Sequence, residues 1–301
     1  MFSQKIGLAS SVKHSLMKIL VIGKNSYIGN HIDDWLTKHG HEVVQLDALT
    51  DEWRAFDYSR YEAIVHVAGI VHQPNCQDWE LYKRVNTDMP IAIATMAKKQ
   101  GVKQYVFFST MGVYGLGKRL APNVVDEATP LLAMSMYGKS KLMAEKGLMK
   151  LQDESFNVVC VRPPSVYGKG CRGGYITGFT SIVRKSPVIP QAYENVKQSF
   201  VYIDNLAEFV RLAIENGMHG AFCPQDDKSV SANELLQAIA VGLGKKYRVS
   251  RLLGLLVRLF HFVPLVKKAY GGVEYAMSLS SLDKIKYVIV PFEEGIRRTV
   301  S

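Results

Sequence analysis

The 301-residue chain has only four cysteines, Cys76, Cys160, Cys171 and Cys223. None forms a C-x-x-C pair and their spacing fits no zinc pattern, so neither a structural zinc site nor a dithiol redox motif is expected, and no other metal site is read. Scattered thiols in a chain this long point to a reducing compartment, and a cytoplasmic location is expected. A long Lys/Arg block is missing although basic residues outnumber acidic ones 37 to 27, a net charge of +10. Positive charge spread in this way favours a small anionic ligand over nucleic acid. Residues 1–16 lack the apolar core of a signal peptide. With Met17 available as an alternative start, they read as a flexible N-terminal extension. Internal repeats and low-complexity linkers are also missing. The most apolar stretch, 252–266, is too short to span a bilayer and is interrupted by Arg258, His261 and Pro264. Flanked by Arg251, Lys267 and Lys268, the segment 251–268 has two readings. It is a basic amphipathic stretch in peripheral contact with a membrane surface, or a helix packed on the second lobe or on a partner subunit.

What is present reads as a nucleotide-binding α/β chain. With 48% hydrophobic and 21% charged residues it is globular and long enough for a full core. Lys18-Ile-Leu-Val-Ile22 is a buried strand closed by Gly23. A turn through Ser26, Tyr27, Ile28 and Gly29 leads into a helix that Gly40 stops, and a second strand over 41–46 is closed by Asp47. Strand, glycine turn, helix, strand and acid form the βαβ dinucleotide signature. Gly23 permits the tight turn, Gly29 lets the helix pack close to the strand, and the first N–H groups of the helix face a pyrophosphate. The glycine spacing is G-x-x-x-x-x-G, with Ser26 where a middle glycine is usual. Asp47, 24 residues after Gly23, is placed for a ribose diol and favours NAD over NADP, whereas Lys24 leans mildly towards a 2′-phosphate.

Further parallel-type strands are expected over 61–69 and 102–109, a helix carrying Asn86 over 78–99, and strands at 157–161 and 200–204. His66 reads as a packed core histidine rather than an acid/base. Tyr137-Gly-Lys-Ser-Lys141 places a phenol and an ammonium one helical turn apart. An adjacent ammonium stabilises a phenolate, which suits an acid/base working on a hydroxyl near neutral pH.

With these residues in hand, the chain resembles the extended short-chain dehydrogenase/reductase family, specifically the NAD-dependent nucleotide-sugar epimerase/dehydratase group (UDP-glucose 4-epimerase-like). The carriers are Gly23…Gly29, Asp47, His66-Val-Ala-Gly69, Asn86, Ser109-Thr-Met-Gly-Val-Tyr-Gly115, Tyr137…Lys141, Arg162…Gly168 and Phe200-Val-Tyr-Ile-Asp204. The resemblance implies a Rossmann-type doubly wound parallel sheet with a smaller C-terminal substrate-binding lobe. The dinucleotide domain would be 17–165, with 199–215 returning to it, and the lobe 166–198 and 216–301. It implies NAD as cofactor, with NADP as the alternative, and a homodimer formed through helices of the first domain. Tyr137 would be the acid/base, Lys141 would hold the nicotinamide ribose and depress the tyrosine's pKa, and Thr110 would bond the sugar hydroxyl. Ala68, Gly69, Asn86, Ser109 and Pro163 would line the cofactor, and Asp57 would reach its adenine. Ser165 would touch substrate.

Two departures from the family narrow the chemistry. Met111 and Gly112 stand where 4,6-dehydratases carry Asp and Glu, and neither moves a proton, so that dehydration is not expected. Ser165 replaces an Asn and Gln198 a diphosphate-binding Arg, with Arg172, Arg184 or Lys197 as candidates for the missing charge. The resulting expectation is 4-epimerisation of a UDP-hexose or UDP-N-acetylhexosamine through a 4-keto sugar, in surface polysaccharide biosynthesis. The alternatives are an NAD(P)H-dependent 4-ketoreductase making a deoxysugar nucleotide and a non-catalytic dinucleotide-binding protein.

Overall fold

Lys18–Ile22 (β1), Ala63–His66 (β3) and Gln104–Phe108 (β4) are almost wholly without solvent exposure. Their sequences are near-continuous apolar runs, as strands covered on both faces require. The computed structural model describes residues 16–71, 78–171, 174–282 and 285–301. Residues 1–15 of the expected extension, Cys76 and Arg172 lie outside the described residues.

The six-stranded sheet runs in the order Gly220–Phe222, Asn157–Val161, β4, β3, β1 and Glu42–Leu46 (β2), with every pairing parallel. The chain leaves β1 outward to β2 and then returns to the other side of β1, so the strand order reverses between β1 and β3. A ligand crevice is expected at the carboxyl ends of strands at such a switch point. One face of the sheet packs Leu20, Ile64, Tyr105 and Phe107 against Ile93, Ala94 and Ala97 of the helix Met89–Lys99 and against Ala144 and Leu148 of the helix Met136–Met149. The helix Tyr27–Lys38 (α1) is tied to Glu208 through Trp35, whose indole N–H donates at 2.9 Å.

The helix expected over 78–99 is present in three pieces: Trp79–Lys83 (α2), a π-helical segment Arg84–Asp88 and Met89–Lys99 (α3). Pro90 is the physical cause of the wide middle piece. It has no N–H to give the carbonyl of Asn86 four residues back, so the ladder opens there. Met136–Met149 (α4) starts on Ser135, whose side chain accepts from Gly138 N–H at 3.0 Å.

The chain folds as two compact units. The first takes the chain as far as Gly115, with Pro130–Pro163 and Ala207–Cys223; the second holds Leu116–Thr129, Pro164–Leu206 and Pro224–Ser301. This division differs from the expected one at three places. Leu116–Thr129, expected in the dinucleotide domain, belongs to the second unit. Phe200–Tyr202 pairs with Ser165–Tyr167 in a two-stranded sheet of the second unit, so the return to the first unit comes later than 199–215. Gly220–Phe222, assigned by sequence to the lobe, closes the main sheet beside Asn157–Val161. A strand of three residues carries too little periodicity to be read.

The second unit is built from short strand pairs and the helices Gly174–Lys185, Ala232–Gly242, Arg251–Leu259, Pro264–Tyr270 and Phe292–Val300. Its core contains Tyr167, Phe200, Tyr202 and Phe292 packed ring to ring. Buried Asp226 accepts hydrogen bonds from Tyr167 Oη, Tyr202 N–H and Asn205 Nδ2 at 2.8–2.9 Å. Burial raises its carboxyl's pKa to about 7. Among the described residues no helix is long and apolar enough to cross a membrane, and Cys160, Cys171 and Cys223 are free thiols.

In the first unit, Arg162 follows the strand Asn157–Val161 and is buried. Its Nε and Nη2 donate to the two carboxylate oxygens of Glu145 on α4 at 3.0 and 2.6 Å, and its Nη1 donates to Tyr114 Oη at 2.9 Å. Glu145→Ala leaves that guanidinium buried and unpaired. The expected cost is on the order of 3–5 kcal/mol in urea unfolding, against at most ~1 kcal/mol for Asp51→Ala in the exposed pair with Arg54.

Candidate active site

The glycine turn after β1 is held by its own backbone. Gly23 N–H donates to Leu46 O at 3.1 Å, and Val67 and Ala68 N–H both donate to Ile22 O at 2.9 Å. Gly23 has φ +135°, and a Cβ there would lie 3.1 Å from Ala68 N. Only glycine suits both the dihedral and the space. Ser26 caps α1, its Oγ accepting from Gly29 N–H at 3.0 Å. Its hydroxyl proton is therefore left to donate outward, and Tyr27 and Ile28 open the helix whose positive end faces the crevice. Asp47 stands directly after β2, at the same end of the sheet, and orients its carboxylate by accepting from Leu49 N–H at 2.8 Å.

Asp57 is placed apart from this group. It precedes β3, its carboxylate accepts from Ser59 and Arg60, and the neighbouring Tyr58 N–H donates to Gln100 Oε1 just ahead of β4. These are the amino ends of the strands, opposite the Gly23 turn.

Gly69 lies at the centre of the remaining residues. A Cβ on it would sit 2.9 Å from both Asn86 Oδ1 and Lys141 Nζ. Asn86, buried in the π segment, accepts from Ile70 N–H at 2.8 Å and donates to Ile70 O and Ser140 Oγ. Three of its hydrogen bonds go to the protein, where it fixes the turn after β3 against α4. Lys141 Nζ donates to Phe108 O at 2.8 Å. Burial lowers its pKa to about 7, with the Glu145 carboxylate opposing the shift. Ser109 is buried after β4, and its Oγ has no hydrogen-bond partner among the described residues. Met111 N–H donates to Pro163 O, joining the ends of β4 and the Asn157–Val161 strand.

Tyr137 lies in the first turn of α4. The close approach of that turn to the Thr110 segment depends on Gly138, where a Cβ would be 2.7 Å from Gly112 O. Thr110 Oγ1 accepts from Gly112 N–H at 3.1 Å, which leaves its proton for Tyr137, to which it is hydrogen-bonded. Burial raises the Tyr137 pKa, and this hydrogen bond opposes the shift by stabilising the phenolate. The expectation that Lys141 depresses the tyrosine is not what this geometry does. The ammonium is itself partly neutralised by burial, and it is turned to the Phe108 carbonyl. His66 is a core residue as read. Its Nδ1 hydrogen-bonds Tyr105 Oη at 2.7 Å, and burial lowers its pKa to about 3, so it stays neutral.

In the second unit, Ser165 Oγ accepts from Gln198 Nε2 at 3.0 Å, and Lys118 Nζ donates to Gln198 Oε1 at 2.7 Å. Lys118 also lies over the Tyr175 ring, 3.5 Å from its centroid, and burial lowers its pKa to about 7. It was missed in the sequence because it sits in a glycine-marked loop with no motif around it. Arg184 is exposed and Lys197 half-buried, and neither is bonded to Gln198 among the described residues. Ser165 lines a pocket with Tyr167, Gly168, Cys171, Tyr175 and Phe200.

A glycine turn at the switch point, a helix start beyond it, a ribose-ready acid and a Thr–Tyr–Lys group define a dinucleotide-dependent oxidoreductase or isomerase of the Rossmann class. The residues fit the cofactor on a structural ground: Ser109 Oγ, buried after β4, is left without a protein partner among the described residues. The chain belongs to the NAD dependent epimerase/dehydratase family, whose model matches residues 19–222, and is an NAD(P)-dependent epimerase/reductase. It is 27% identical over 252 residues to a UDP-glucose 4-epimerase of Vibrio cholerae, covering 75% of this chain and 76% of that one. It is 25% identical over 248 residues to the N-acetyl-alpha-D-glucosaminyl-diphospho-ditrans,octacis-undecaprenol 4-epimerase of Escherichia coli O157:H7, covering 76% and 73%. Among solved structures, the Bordetella bronchiseptica enzyme WbmG in complex with NAD and UDP superimposes with a TM-score of 0.72 at 20% identity, over 94% of this chain and 93% of that one. That likeness bears on the fold.

Lys141 gives a pH test of the site without cofactor. Its pKa is about 7 folded against an ordinary 10.5. Between those values the unfolded chain binds the extra proton, so this residue makes stability rise with pH. From about pH 7 to about pH 9 the wild type should gain on the order of 1–2 kcal/mol in urea unfolding relative to Lys141→Met.

Proposed function

We propose that the protein is an NAD-dependent 4-epimerase of a nucleotide-linked hexose or N-acetylhexosamine, with a UDP-sugar as substrate. The observation that carries this reading is the Tyr137 phenol, hydrogen-bonded to Thr110 and one helical turn from Lys141, in a unit whose strand ends carry a dinucleotide turn. The V. cholerae and E. coli relatives, both named as 4-epimerases, support it. Met111 and Gly112, which have no titratable side chain, argue against 4,6-dehydration.

NAD, when bound, supplies reversible oxidation at the sugar C4 carbon. Gly23, the start of α1 and Asp47 would hold its pyrophosphate and ribose, with Ala68, Gly69, Ser109, Lys141 and Pro163 around its remainder. Tyr137 takes the proton from the sugar O4 and returns it once the 4-keto sugar has turned over. Thr110 orients that hydroxyl and shares its proton with the phenolate. Lys141 contributes through its position against Phe108 O and the Gly69 backbone. Lys118, reaching Gln198 and through it Ser165, is the cation of the second unit best suited to an anionic group of the substrate. The reading carries with it a cytoplasmic location and a homodimer formed through helices of the first unit.

A 4-ketoreductase using NAD(P)H is the second reading, and exposed Lys24 beside the glycine turn favours it. Purified protein should release tightly held NAD on denaturation, found by mass spectrometry, and interconvert UDP-glucose and UDP-galactose or their N-acetylamino forms without net cofactor consumption. Steady consumption of NADPH with a 4-keto sugar nucleotide would instead establish the reductase. Tyr137→Phe should lower kcat by roughly 10²–10⁴-fold with binding retained. Lys118→Met should act mainly on KM, raising it about tenfold or more. An unchanged turnover in Tyr137→Phe overturns the catalytic assignment.

A further inference from the structure

The helix Arg251–Leu259 presents its leucines to solvent. Its one buried position is Gly254, which lies so close to the Gln191 backbone that a Cβ would be 1.9 Å from the carbonyl oxygen. Ser250 caps the helix and its own carbonyl accepts from Gln191 N–H. The helix is therefore seated by backbone contact at a glycine, and not by its apolar side chains. Leu252, Leu255, Leu256 and Leu259 fall at i, i+3, i+4 and i+7, one face of the helix, and all four are exposed, Leu252 by 72%. Phe262 (71%) and Leu265 (70%) extend this surface into the helix Pro264–Tyr270. The expectation that the segment packs on the second lobe is not met by this face, since a packed stripe would be buried. A contiguous exposed apolar patch of this kind marks an interaction site.

The charges say what covers it. From residue 235 to residue 273 the sequence has no aspartate or glutamate, while Lys245 to Lys268 contains seven lysines and arginines. Arg251, Arg258, Lys267 and Lys268 are all exposed around the apolar stripe. Glu194, on the turn next to Tyr193, is engaged by Gln191 Nε2. Two copies meeting face to face through this surface would oppose cation to cation across a dry contact. An anionic bilayer removes that conflict, with leucine and phenylalanine entering the acyl boundary and the lysines and arginines meeting phosphate.

We propose that residues 251–268 seat the protein peripherally on an anionic phospholipid membrane, with the helix Arg251–Leu259 lying in the interface plane. The proposal goes beyond the catalytic reading and stands or falls without it.

The test is co-sedimentation of the full-length protein with vesicles of phosphatidylcholine alone and of phosphatidylcholine with about one third phosphatidylglycerol. Binding should be about tenfold or more stronger to the anionic vesicles and fall with added salt. The double variant Leu255→Glu, Leu259→Glu should lose about tenfold or more of that binding while keeping its circular dichroism and its turnover of a soluble sugar nucleotide. Lys267→Glu, Lys268→Glu should remove the preference for anionic lipid. Failure of the wild type to bind either vesicle, or binding by the leucine variant equal to that of wild type, overturns the proposal. So does a solution dimer that the leucine variant converts to monomer while neither protein binds vesicles. That result would give the face to a second copy.

Discussion

The buried contact of Arg162 with Glu145 and Tyr114 is the constraint on which the geometry of the first unit's candidate site depends. It joins three elements that sequence keeps far apart: the end of the Asn157–Val161 strand, the middle of α4 and the turn that follows Thr110. Each carries a site residue, namely Pro163, the Tyr137–Lys141 pair and Thr110. A buried charge pair of this geometry adds little net stability over a hydrophobic replacement, because desolvation offsets most of the attraction. What it provides is register, since two parallel N–H donors facing two carboxylate oxygens allow few orientations. The Gly112–Gly138 approach then brings Tyr137 to Thr110.

Around this clamp the site is dry, and its electrostatics follow from that. Burial raises Tyr137, lowers Lys141 and keeps His66 neutral. Each shift disfavours the charged form, so a ligand that brings its own charge and polar groups has most to change. The hydroxyl of Thr110 is the local group that opposes the rise of the Tyr137 pKa. The ammonium of Lys141 is held by a backbone carbonyl and works by position.

The second unit adds a polar chain, Lys118–Gln198–Ser165, which a lysine from a distant loop completes. It also adds an apolar, cationic helix that no described part of its own unit covers. The two features are attached differently. The Lys118 ammonium is itself held against a tyrosine ring and an amide, while the helix Arg251–Leu259 is held by its backbone at one glycine, which leaves its leucines exposed.

Much of this was legible in the chain because its signals are local. The strands Lys18–Ile22 and Asn157–Val161 are apolar runs closed by turn or breaker residues. Gly23 and Ser26 occupy a turn whose dihedrals and cap few other residues satisfy, and Tyr137 and Lys141 are one turn apart on a helix begun by Ser135. The order of these motifs was enough to place the chain in its family. Tertiary packing alone decided the rest. It turned Lys141 to the Phe108 carbonyl, bonded Asn86 to Ile70 and Ser140, put Asp57 at the amino ends of the strands and brought Lys118 to Gln198. The reason is range. Backbone preference and hydrophobic period act over a few residues, whereas burial and the partner of a charge are set by elements as far apart as Trp35 and Glu208, 173 positions, and no local pattern records which of them will meet.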